Sequence, residues 1–330
     1  MISVSVIIPI FKVESLIERC AISLFQQTMT DIEFVFVDDA SPDNSISILE
    51  AVLEAYPERK QQVRIIRHEQ NKGLPAARNS GLKVAEGAYI FHCDSDDCLV
   101  TDAIEQLYKA AVATEADIVW CDWYLASKSK KRYMSQAPYG TKDLTPEKAI
   151  KMLLDGTLKY NVWNKLTRRK LYAEYAVLFP EGKGMGEDMT MIKLFAFAKK
   201  VSYLPKALYH YTLDNRNAFT RSSVATYLDE IEYNTQDIIE FLENRYGNGF
   251  KAEIQYFKLN VKLPLLISDQ ADSYRLWLKW FPESNIYIDQ NPAFSFRSRL
   301  VQKAAYFQQF WFLKLYYYVI ICGLSKLSFR

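Results

Sequence analysis

The chain has 330 residues, of which 49% are apolar and 24% are charged, and its formal net charge is +2. This length allows one large domain and a smaller second one, and the composition is typical of a folded protein. Because the net charge is so small, a general attraction to nucleic acid is excluded, and any basic function must be local, as in residues 128–132. We interpret that basic run as a solvated loop, with contact to an anionic membrane or a diphosphate as the alternative.

The cysteines and the N-terminal residues indicate the compartment. The five cysteines are odd in number and no two of them have Cys-x-x-Cys spacing, so a reducing cytoplasm is the simplest setting. The first apolar run is interrupted by Pro9 and Lys12, and it lacks a basic flank and a cleavage site of small residues. We therefore expect a cytoplasmic protein without a signal peptide.

Apolar runs and amphipathic stretches alternate over the first third of the chain. The apolar runs predict strands at residues 4–11, 32–37, 63–67, 88–91 and 118–121. The stretches between them predict helices near residues 16–25, 41–55, 76–85 and 101–114. Strands that alternate with helices imply right-handed crossovers, so we expect an α/β fold with a doubly wound, mostly parallel sheet.

Carboxylates follow two of the predicted strands. Asp38 and Asp39 come after the second strand, and the fourth strand leads into Asp94-Ser95-Asp96-Asp97. Like charges this close raise each other's pKa unless a cation compensates, and carboxylate oxygens suit Mg²⁺ or Mn²⁺. The alternative, that these residues merely cap the next helix, does not explain why they share the sheet edge at which ligands bind.

The middle of the chain is less regular. We expect a mobile polar excursion over residues 124–140, where the periodicity is lost. A glycine-rich segment then ends in Glu187-Asp188, which is either the acidic first turn of a helix or a catalytic pair. Short strands are predicted at residues 201–204 and 207–212, where His210 is interpreted as a packed strand residue, with a metal ligand as the alternative.

Beyond about Val224 the sequence predicts helices. The last one, over residues 296–327, is rich in aromatic residues flanked by lysines, as is typical of segments at a membrane interface. Its longest uncharged run, between Lys314 and Lys326, is shorter than the ~20 residues that span a bilayer. Contact with a membrane surface and packing against the main domain both remain open.

Several short motifs occur in a fixed order along the first two thirds of the chain. They are residues 3–10 with Pro9, Val37-Asp38-Asp39-Ala40-Ser41, Asn71-Lys72-Gly73 with Ala77-Arg78-Asn79, Asp94-Ser95-Asp96-Asp97, Trp163-Asn164-Lys165 and Glu187-Asp188. Over roughly residues 1–215 the chain thereby resembles the inverting family 2 glycosyltransferases of the Rossmann-like GT-A fold that build bacterial surface polysaccharides. The resemblance implies a catalytic, nucleotide-sugar-binding domain over residues 1–220 and a helical C-terminal region over residues 221–330.

The resemblance also implies roles for single residues in donor binding. Asp39 would accept a hydrogen bond from the nucleotide base, usually uracil, in a pocket lined by the backbone near Pro9. Arg78 would lie beside the nucleotide and Asp94 near the ribose. Asp96 would hold Mn²⁺ or Mg²⁺ on the diphosphate of a nucleoside diphosphate sugar.

For the transfer itself, the resemblance implies that Asp188 is the general base. It would remove a proton from a hydroxyl of a saccharide or lipid-linked acceptor, which is found at the inner face of the cytoplasmic membrane, and the product would have inverted anomeric configuration. Further candidate site residues are Ile10, Phe11, Asp38, Ser95, Asp97, Trp163, Glu187 and His210.

The chain also departs from the family pattern. Phe11-Lys12 replaces the usual Tyr-Asn and Ala40 the usual glycine, so contacts to base and ribose are expected to differ in detail. The Gln-x-x-Arg-Trp motif of processive synthases is absent, which indicates the addition of one or a few sugars. Three alternatives stay open at this point: a magnesium-dependent receiver-like module, a nucleotidyltransferase and a catalytically inactive binding protein.

Overall fold

A computed structural model describes residues 2–127, 130–139, 144–213, 215 and 227–322. The chain divides into two compact units, the first comprising Met1–Ile150 with Lys159–Arg221 and the second Lys151–Leu158 with Ser222–Arg330. Some predicted features lie outside the described residues, namely Lys128 of the basic run, Gly140, Val224 and residues 323–327 of the last helix.

The first unit contains one mixed β-sheet. Its strands are β1 (Val4–Ile10), β2 (Ile32–Asp38), β3 (Val63–Arg67), β4 (Tyr89–His92), β5 (Cys98–Leu99), β6 (Ile118–Ala126), β7 (Lys131–Met134), β8 (Lys165–Arg168) and β9 (Val201–Thr212). Among the described residues these nine strands follow the order β3-β2-β1-β4-β8-β6-β9-β5, and β7 pairs with β6. The predicted α/β fold is confirmed.

The strands predicted from the sequence and those that were not predicted differ in direction. The first five predicted strands, β1 to β4 and β6, all run the same way. The two short strands predicted at residues 201–204 and 207–212 form the single strand β9, which runs parallel to β6. The short strands β5, β7 and β8 run against them, so the sheet is mixed. A strand of two to four residues leaves little periodicity in the sequence, and its direction depends on partners far along the chain.

The helices lie between and after these strands. They are α1 (Ile17–Phe25), α2 (Ser45–Glu54), α3 (Leu74–Val84), α4 (Ala103–Thr114), α5 (Pro146–Asp155), α6 (Lys170–Glu174), α7 (Thr190–Phe197), α8 (Leu228–Tyr246), α9 (Lys251–Lys262), α10 (Ala271–Lys279), α11 (Phe296–Tyr306) and α12 (Phe310–Tyr316). Short 3₁₀ helices include Glu187–Met189, and a π-helix covers Tyr317–Cys322. Among the described residues, no helix combines the length and the apolar composition needed to cross a membrane.

Apolar burial explains the central layers of the first unit. Every residue of β1 and β2 is buried, as expected for strands covered on both faces. On α1 the buried side chains recur at helical spacing, and Phe25 packs edge-on against Phe34 with ring centroids 5.7 Å apart. On α3, a Cβ atom at Gly81 would lie only 2.4 Å from Cγ2 of Ile7, so a glycine there lets the helix approach the sheet closely.

Two expectations about irregular and helical segments were wrong. The polar excursion over residues 124–140 contains a hairpin instead, because β6 continues to Ala126 and pairs with β7. The rings of Tyr124 and Tyr133 pack across this hairpin with centroids 5.6 Å apart. The consecutive basic residues Lys131 and Arg132 interrupt the apolar alternation of a strand, so the sequence pattern did not reveal β7. The single last helix is interrupted after Tyr306, so α11 and α12 are separate.

Candidate active site

The two acidic segments lie at one edge of the sheet. β1 is parallel to β2 and to β4, and Ile10 at the end of β1 pairs with Asp38. Asp39 and Asp94 follow the ends of β2 and β4, so parallel pairing brings both segments to the same edge. Pro9 and Ile10 are buried within β1, so neither side chain is presented to a ligand at this edge.

Arg78, on α3, joins three carboxylates from distant parts of the chain. Its Nη2 donates to Oδ1 of Asp94 at 3.0 Å, and its Nη1 donates to Oε1 of Glu187 at 2.5 Å and Oδ1 of Asp188 at 3.1 Å. The guanidinium is almost completely buried and lies 5.4 Å from the ring centre of Phe179. A fixed guanidinium with planar donors therefore sets the relative positions of the acidic strand end and the Glu-Asp pair.

The charges around Arg78 are not balanced, because three carboxylates share one guanidinium. Burial raises the pKa of Glu187, and the neighbouring Asp188 raises it further. Burial also raises the pKa of Asp188, while Arg78 opposes the rise. Glu187 is the more buried of the two, with 9% of its side chain exposed against 22% for Asp188, so Glu187 holds a proton more readily and Asp188 is the anion.

The turn after β4 holds Asp96 in a defined position. Its Oδ2 accepts a hydrogen bond from Nδ2 of Asn215 at 2.6 Å, and its backbone carbonyl accepts one from Nη2 of Arg19 at 2.5 Å. Burial and the charge of Asp94 raise the pKa of Asp96. The side-chain hydrogen bonds use Oδ2 of Asp96 and Oδ1 of Asp94, which makes the other oxygen of each carboxylate a candidate ligand atom for a cation.

Asp97 points inward instead. Its Oδ2 accepts a hydrogen bond from the hydroxyl of Tyr209 at 2.8 Å, and its Oδ1 accepts one from the backbone amide of Thr212 at 2.6 Å. It is 1% exposed, and the adjacent Ser95 is also buried. Asp97 therefore ties the acidic turn to β9, and the geometry gives it a supporting position behind Asp94 and Asp96.

Asp39 lies at the centre of a buried hydrogen-bond network. Its Oδ1 accepts from the Lys72 amide at 2.8 Å and from Nδ1 of His68 at 2.7 Å, and its Oδ2 accepts from the Gly73 amide at 2.8 Å. Since a carboxylate only accepts, Nδ1 of His68 carries the hydrogen, and Nε2 faces Oγ of Ser80 at 2.8 Å. Of about four lone-pair directions, one on Oδ2 remains for a further donor.

A second network fixes the loops after β1 and β2. Oδ1 of Asp38 accepts from the Ser41 amide at 2.9 Å, and Oγ of Ser41 accepts from the Lys12 amide at 2.8 Å. Lys12 and Ala40 both adopt positive φ, 55° and 54°, a conformation that these hydrogen bonds hold in place. The ring of Phe11 is 38% exposed at this rim, where it offers a flat surface next to Asp39.

Trp163 and His210 lie on the far side of the acidic turn. The indole of Trp163 is stacked on Tyr209 and Tyr211, with ring centroids 4.5 and 5.3 Å apart. Through the hydroxyl of Tyr209, this stack supports the turn after β4. His210 packs on Tyr124 at 5.2 Å, and burial lowers its pKa, which agrees with the interpretation as a packed strand residue.

Five supporting residues were missed among the sequence-derived candidates: Arg19, His68, Lys165, Tyr209 and Asn215. Lys165 is fully buried, and its ammonium donates to the carbonyl oxygens of Lys159 and Asn161 and to Oδ1 of Asn164 at 2.6–2.9 Å. Burial lowers its pKa to about 7. A lysine inside an apolar stretch is a signal that could have singled it out, whereas Arg19 looks like any charge on the polar side of a helix.

A divalent cation is compatible with this edge. Among the described residues, no three histidine, cysteine or carboxylate side chains are grouped closely enough to hold a metal ion. Mg²⁺ characteristically takes one or two protein carboxylates and completes its shell with water and phosphate oxygens. The unused oxygens of Asp94 and Asp96 provide hard donors of that kind on one turn.

Comparison with known proteins gives a consistent answer. Residues 5–184 match the sequence model described as glycosyl transferase family 2. The chain is 33% identical over 277 residues to an uncharacterized glycosyltransferase, EpsJ, of Bacillus subtilis, which covers 82% of this chain and 78% of the relative. It is also 30% identical over 214 residues to a poly(ribitol-phosphate) beta-glucosyltransferase of Bacillus spizizenii, covering 63% of this chain and 32% of that protein.

Solved structures share the fold. Residues 1–349 of TarS from S. aureus superpose with a TM-score of 0.66 at 19% identity, covering 97% of this chain and 92% of that one. The same protein in complex with UDP-GlcNAc gives a TM-score of 0.62 at 19% identity, with coverage of 93% and 92%.

Proposed function

The chain belongs to glycosyl transferase family 2 and has the GT-A fold, and from this premise we propose a specific reaction. A sugar passes from a nucleoside diphosphate sugar, with UDP as the nucleotide, to a hydroxyl of a saccharide or lipid-linked acceptor. Residues 1–220 carry the catalysis, and the product has inverted anomeric configuration. The observation that carries the proposal is the Arg78 cluster, meaning Arg78 and the three carboxylates that it contacts. In this cluster, Asp94 at the sheet edge and Asp188 from a distant segment bind the same guanidinium.

The nucleotide pocket is assigned to the loops after β1, β2 and β3. The lone pair left on Oδ2 of Asp39 can accept one N–H, and the uracil ring offers a single such donor at N3. The exposed ring of Phe11 provides a surface on which a base can stack. A donor with uracil as its base is also what the TarS structure with UDP-GlcNAc contains.

Asp94 and Asp96 are proposed to hold Mn²⁺ or Mg²⁺. A divalent ion bound there supplies Lewis-acid stabilisation of the charge that develops on the leaving nucleoside diphosphate. Arg78 fixes the orientation of Asp94, while Asn215 and Arg19 fix the turn that carries Asp96. The protein thus presents two carboxylate oxygens in a fixed geometry before the donor arrives.

Asp188 is proposed as the general base. It takes the proton of the acceptor hydroxyl while the oxygen forms a bond to the anomeric carbon and the bond from that carbon to the diphosphate oxygen breaks. The electron pair of the broken bond leaves with the diphosphate, and attack from the opposite face inverts the configuration. This geometry requires a base from a segment other than the donor edge, and the residue after Glu187 meets that requirement.

The proposal also covers the class of acceptor and the cellular location. The relative from Bacillus spizizenii is described as a poly(ribitol-phosphate) beta-glucosyltransferase, which supports a polymeric acceptor. We propose that this chain acts in surface-polysaccharide synthesis at the inner face of the cytoplasmic membrane. Membership of the family sets aside the receiver-like module and the nucleotidyltransferase. An inactive binding protein is the remaining alternative, and a turnover assay with a panel of nucleoside diphosphate sugars separates the two.

The metal assignment is tested by Asp96→Asn. We expect this variant to fold normally and to bind UDP at least ~10-fold more weakly than wild type when Mn²⁺ is present, with little difference when Mn²⁺ is absent. Asp102→Asn, six residues further along, is the matched control and should leave UDP binding unchanged. Calorimetric titration measures both, and equal affinities of wild type and Asp96→Asn in Mn²⁺ would refute the assignment.

A further inference from the structure

The penultimate helix of the second unit, α11, presents apolar side chains to solvent at helical spacing. Phe296 is 81% exposed, Leu300 41% and Phe307, just after the helix, 64%. These positions are separated by four and seven residues, so they form one stripe along the helix. A surface helix ordinarily turns its apolar stripe toward the core, which Val301 and Ala305 do here. α11 therefore has a second apolar face that no described residue covers.

The next helix repeats the pattern. Trp311 is 66% exposed, Leu315 52% and Tyr318, in the π-helix that follows α12, 56%. They again lie four and seven residues apart, while Leu313 is fully buried. Lys314 is exposed beside this stripe, where a long stem can lie on an apolar surface with its charge in water.

Positive charge is concentrated in the same segment. Residues 290–330 contain no acidic side chain, and their basic residues are Arg297, Arg299, Lys303, Lys314, Lys326 and Arg330. The whole chain carries a net charge of +2, so the first 289 residues carry −4 while this segment carries +6. Exposed aromatic and aliphatic side chains thus coincide with a segment that contains only basic charges, of which Lys303 is paired with Asp289 at 2.8 Å.

We propose that the surface formed by α11, α12 and the π-helix, called here the C-terminal face, binds a bilayer of anionic phospholipid. A basic, aromatic-rich amphipathic segment that is too short to span a bilayer lies in its interface, with the apolar residues at the acyl boundary. A second copy of this chain would bring two surfaces of the same sign together, which charge repulsion opposes. The proposal concerns the second unit and does not depend on the proposed reaction.

Trp311 provides a native reporter for the test. The chain has six tryptophans, and the other five are at most 8% exposed. We expect the fluorescence of the full chain to shift to shorter wavelength and to resist aqueous quenchers when vesicles of phosphatidylcholine mixed with phosphatidylglycerol are added. Vesicles of phosphatidylcholine alone should give a much smaller change, and added salt should weaken the response because it screens the charges.

Paired variants distinguish binding through the C-terminal face from non-specific adsorption to lipid. Leu315→Ser should lower partitioning into anionic vesicles about five-fold or more, whereas Ile286→Ser, at a position in the same unit that is even more exposed, should not. Lys314→Glu changes the charge by two units and should lower partitioning about 25-fold, because each unit of charge contributes roughly five-fold. Lys279→Glu makes the same charge change outside the C-terminal face and should have little effect.

Three results would overturn the proposal. The first is a full chain that does not respond to anionic vesicles, and the second is a loss of binding in the control variants as large as in their partners. The third is a lipid-free dimer, seen by sedimentation, that Leu315→Ser dissociates, which would show that the C-terminal face binds a second copy.

Discussion

Two amide substitutions at adjacent residues test whether Asp188 acts as the general base or only contributes charge to the Arg78 cluster. Glu187→Gln and Asp188→Asn each preserve the shape of the side chain and remove one carboxylate. If Asp188 is the base, the two variants should differ greatly although both residues accept a hydrogen bond from the same Nη1 of Arg78.

The structure sets the size of each effect. Glu187 is the more buried residue, and burial and Asp188 raise its pKa, so its side chain is the one that holds a proton. Glutamine imitates this neutral, protonated side chain. The amide oxygen can still accept the hydrogen bond that Arg78 donates at 2.5 Å, so we expect kcat to stay within a few fold. Loss of a general base costs ~10² to 10⁴ in rate, and this is the loss expected for Asp188→Asn.

The pH dependence of kcat/KM checks the same assignment. Burial raises the pKa of Asp188, so the base is lost by protonation at a higher pH than for an ordinary aspartate at ~3.9. Activity should therefore rise with pH through a limb above that value, and Glu187→Gln should leave the limb nearly in place because glutamine imitates the protonated Glu187. Initial rates of sugar transfer and calorimetric UDP affinities are the measurements. The assignment is wrong if Asp188→Asn retains transfer within a few fold, or if Glu187→Gln loses as much as Asp188→Asn.

Three further predictions concern the surroundings of the site. Arg78→Met leaves buried carboxylates unpaired and should lower the free energy of unfolding by ~3–5 kcal/mol near neutral pH. This loss should shrink as the pH falls, because carboxyl groups whose pKa is raised in the folded state stabilise the fold once they are protonated. Equal losses in urea unfolding at neutral and at acidic pH would contradict this. His68→Ala removes a charge-assisted bond to Asp39 and should weaken UDP binding on the order of ten-fold without changing kcat at saturating donor, as measured by calorimetry and initial rates; unchanged affinity would mean that the network does not shape the pocket. Gly87→Ala places a Cβ 2.4 Å from the backbone nitrogen of Ser5 and should cost ~1–3 kcal/mol in thermal or urea unfolding, whereas an undiminished stability would show that β1 can move aside.

The long apolar strands and their acidic ends could be predicted from the sequence. β1 and β2 are buried on both faces, and a strand in that position is mostly apolar, which leaves a nearly continuous apolar run in the sequence. Parallel pairing then requires that carboxylates at two strand ends, such as Asp39 and Asp94, share one edge. Strands β5, β7 and β8 left no such run because they are short and their positions depend on distant partners.

The roles of neighbouring acidic residues could not be separated in the same way. Asp96 and Asp97 are adjacent in the sequence, yet one keeps an oxygen toward the sheet edge and the other is enclosed by Tyr209 and Thr212. Which side chain points inward depends on β9, more than a hundred residues later in the chain.

The sequence by itself determined that carboxylates follow two buried strands, β2 and β4, because the apolar run of such a strand and the residues that end it are local features of the residue pattern. Only the tertiary structure decided that one buried guanidinium connects that edge to Asp188. Arg78 lies 16 residues from Asp94 and 110 residues from Asp188. Ion pairs across such separations form only when α3 packs closely on the sheet and the loop before α7 folds back over it, and such long-range packing leaves no periodic signal in the sequence.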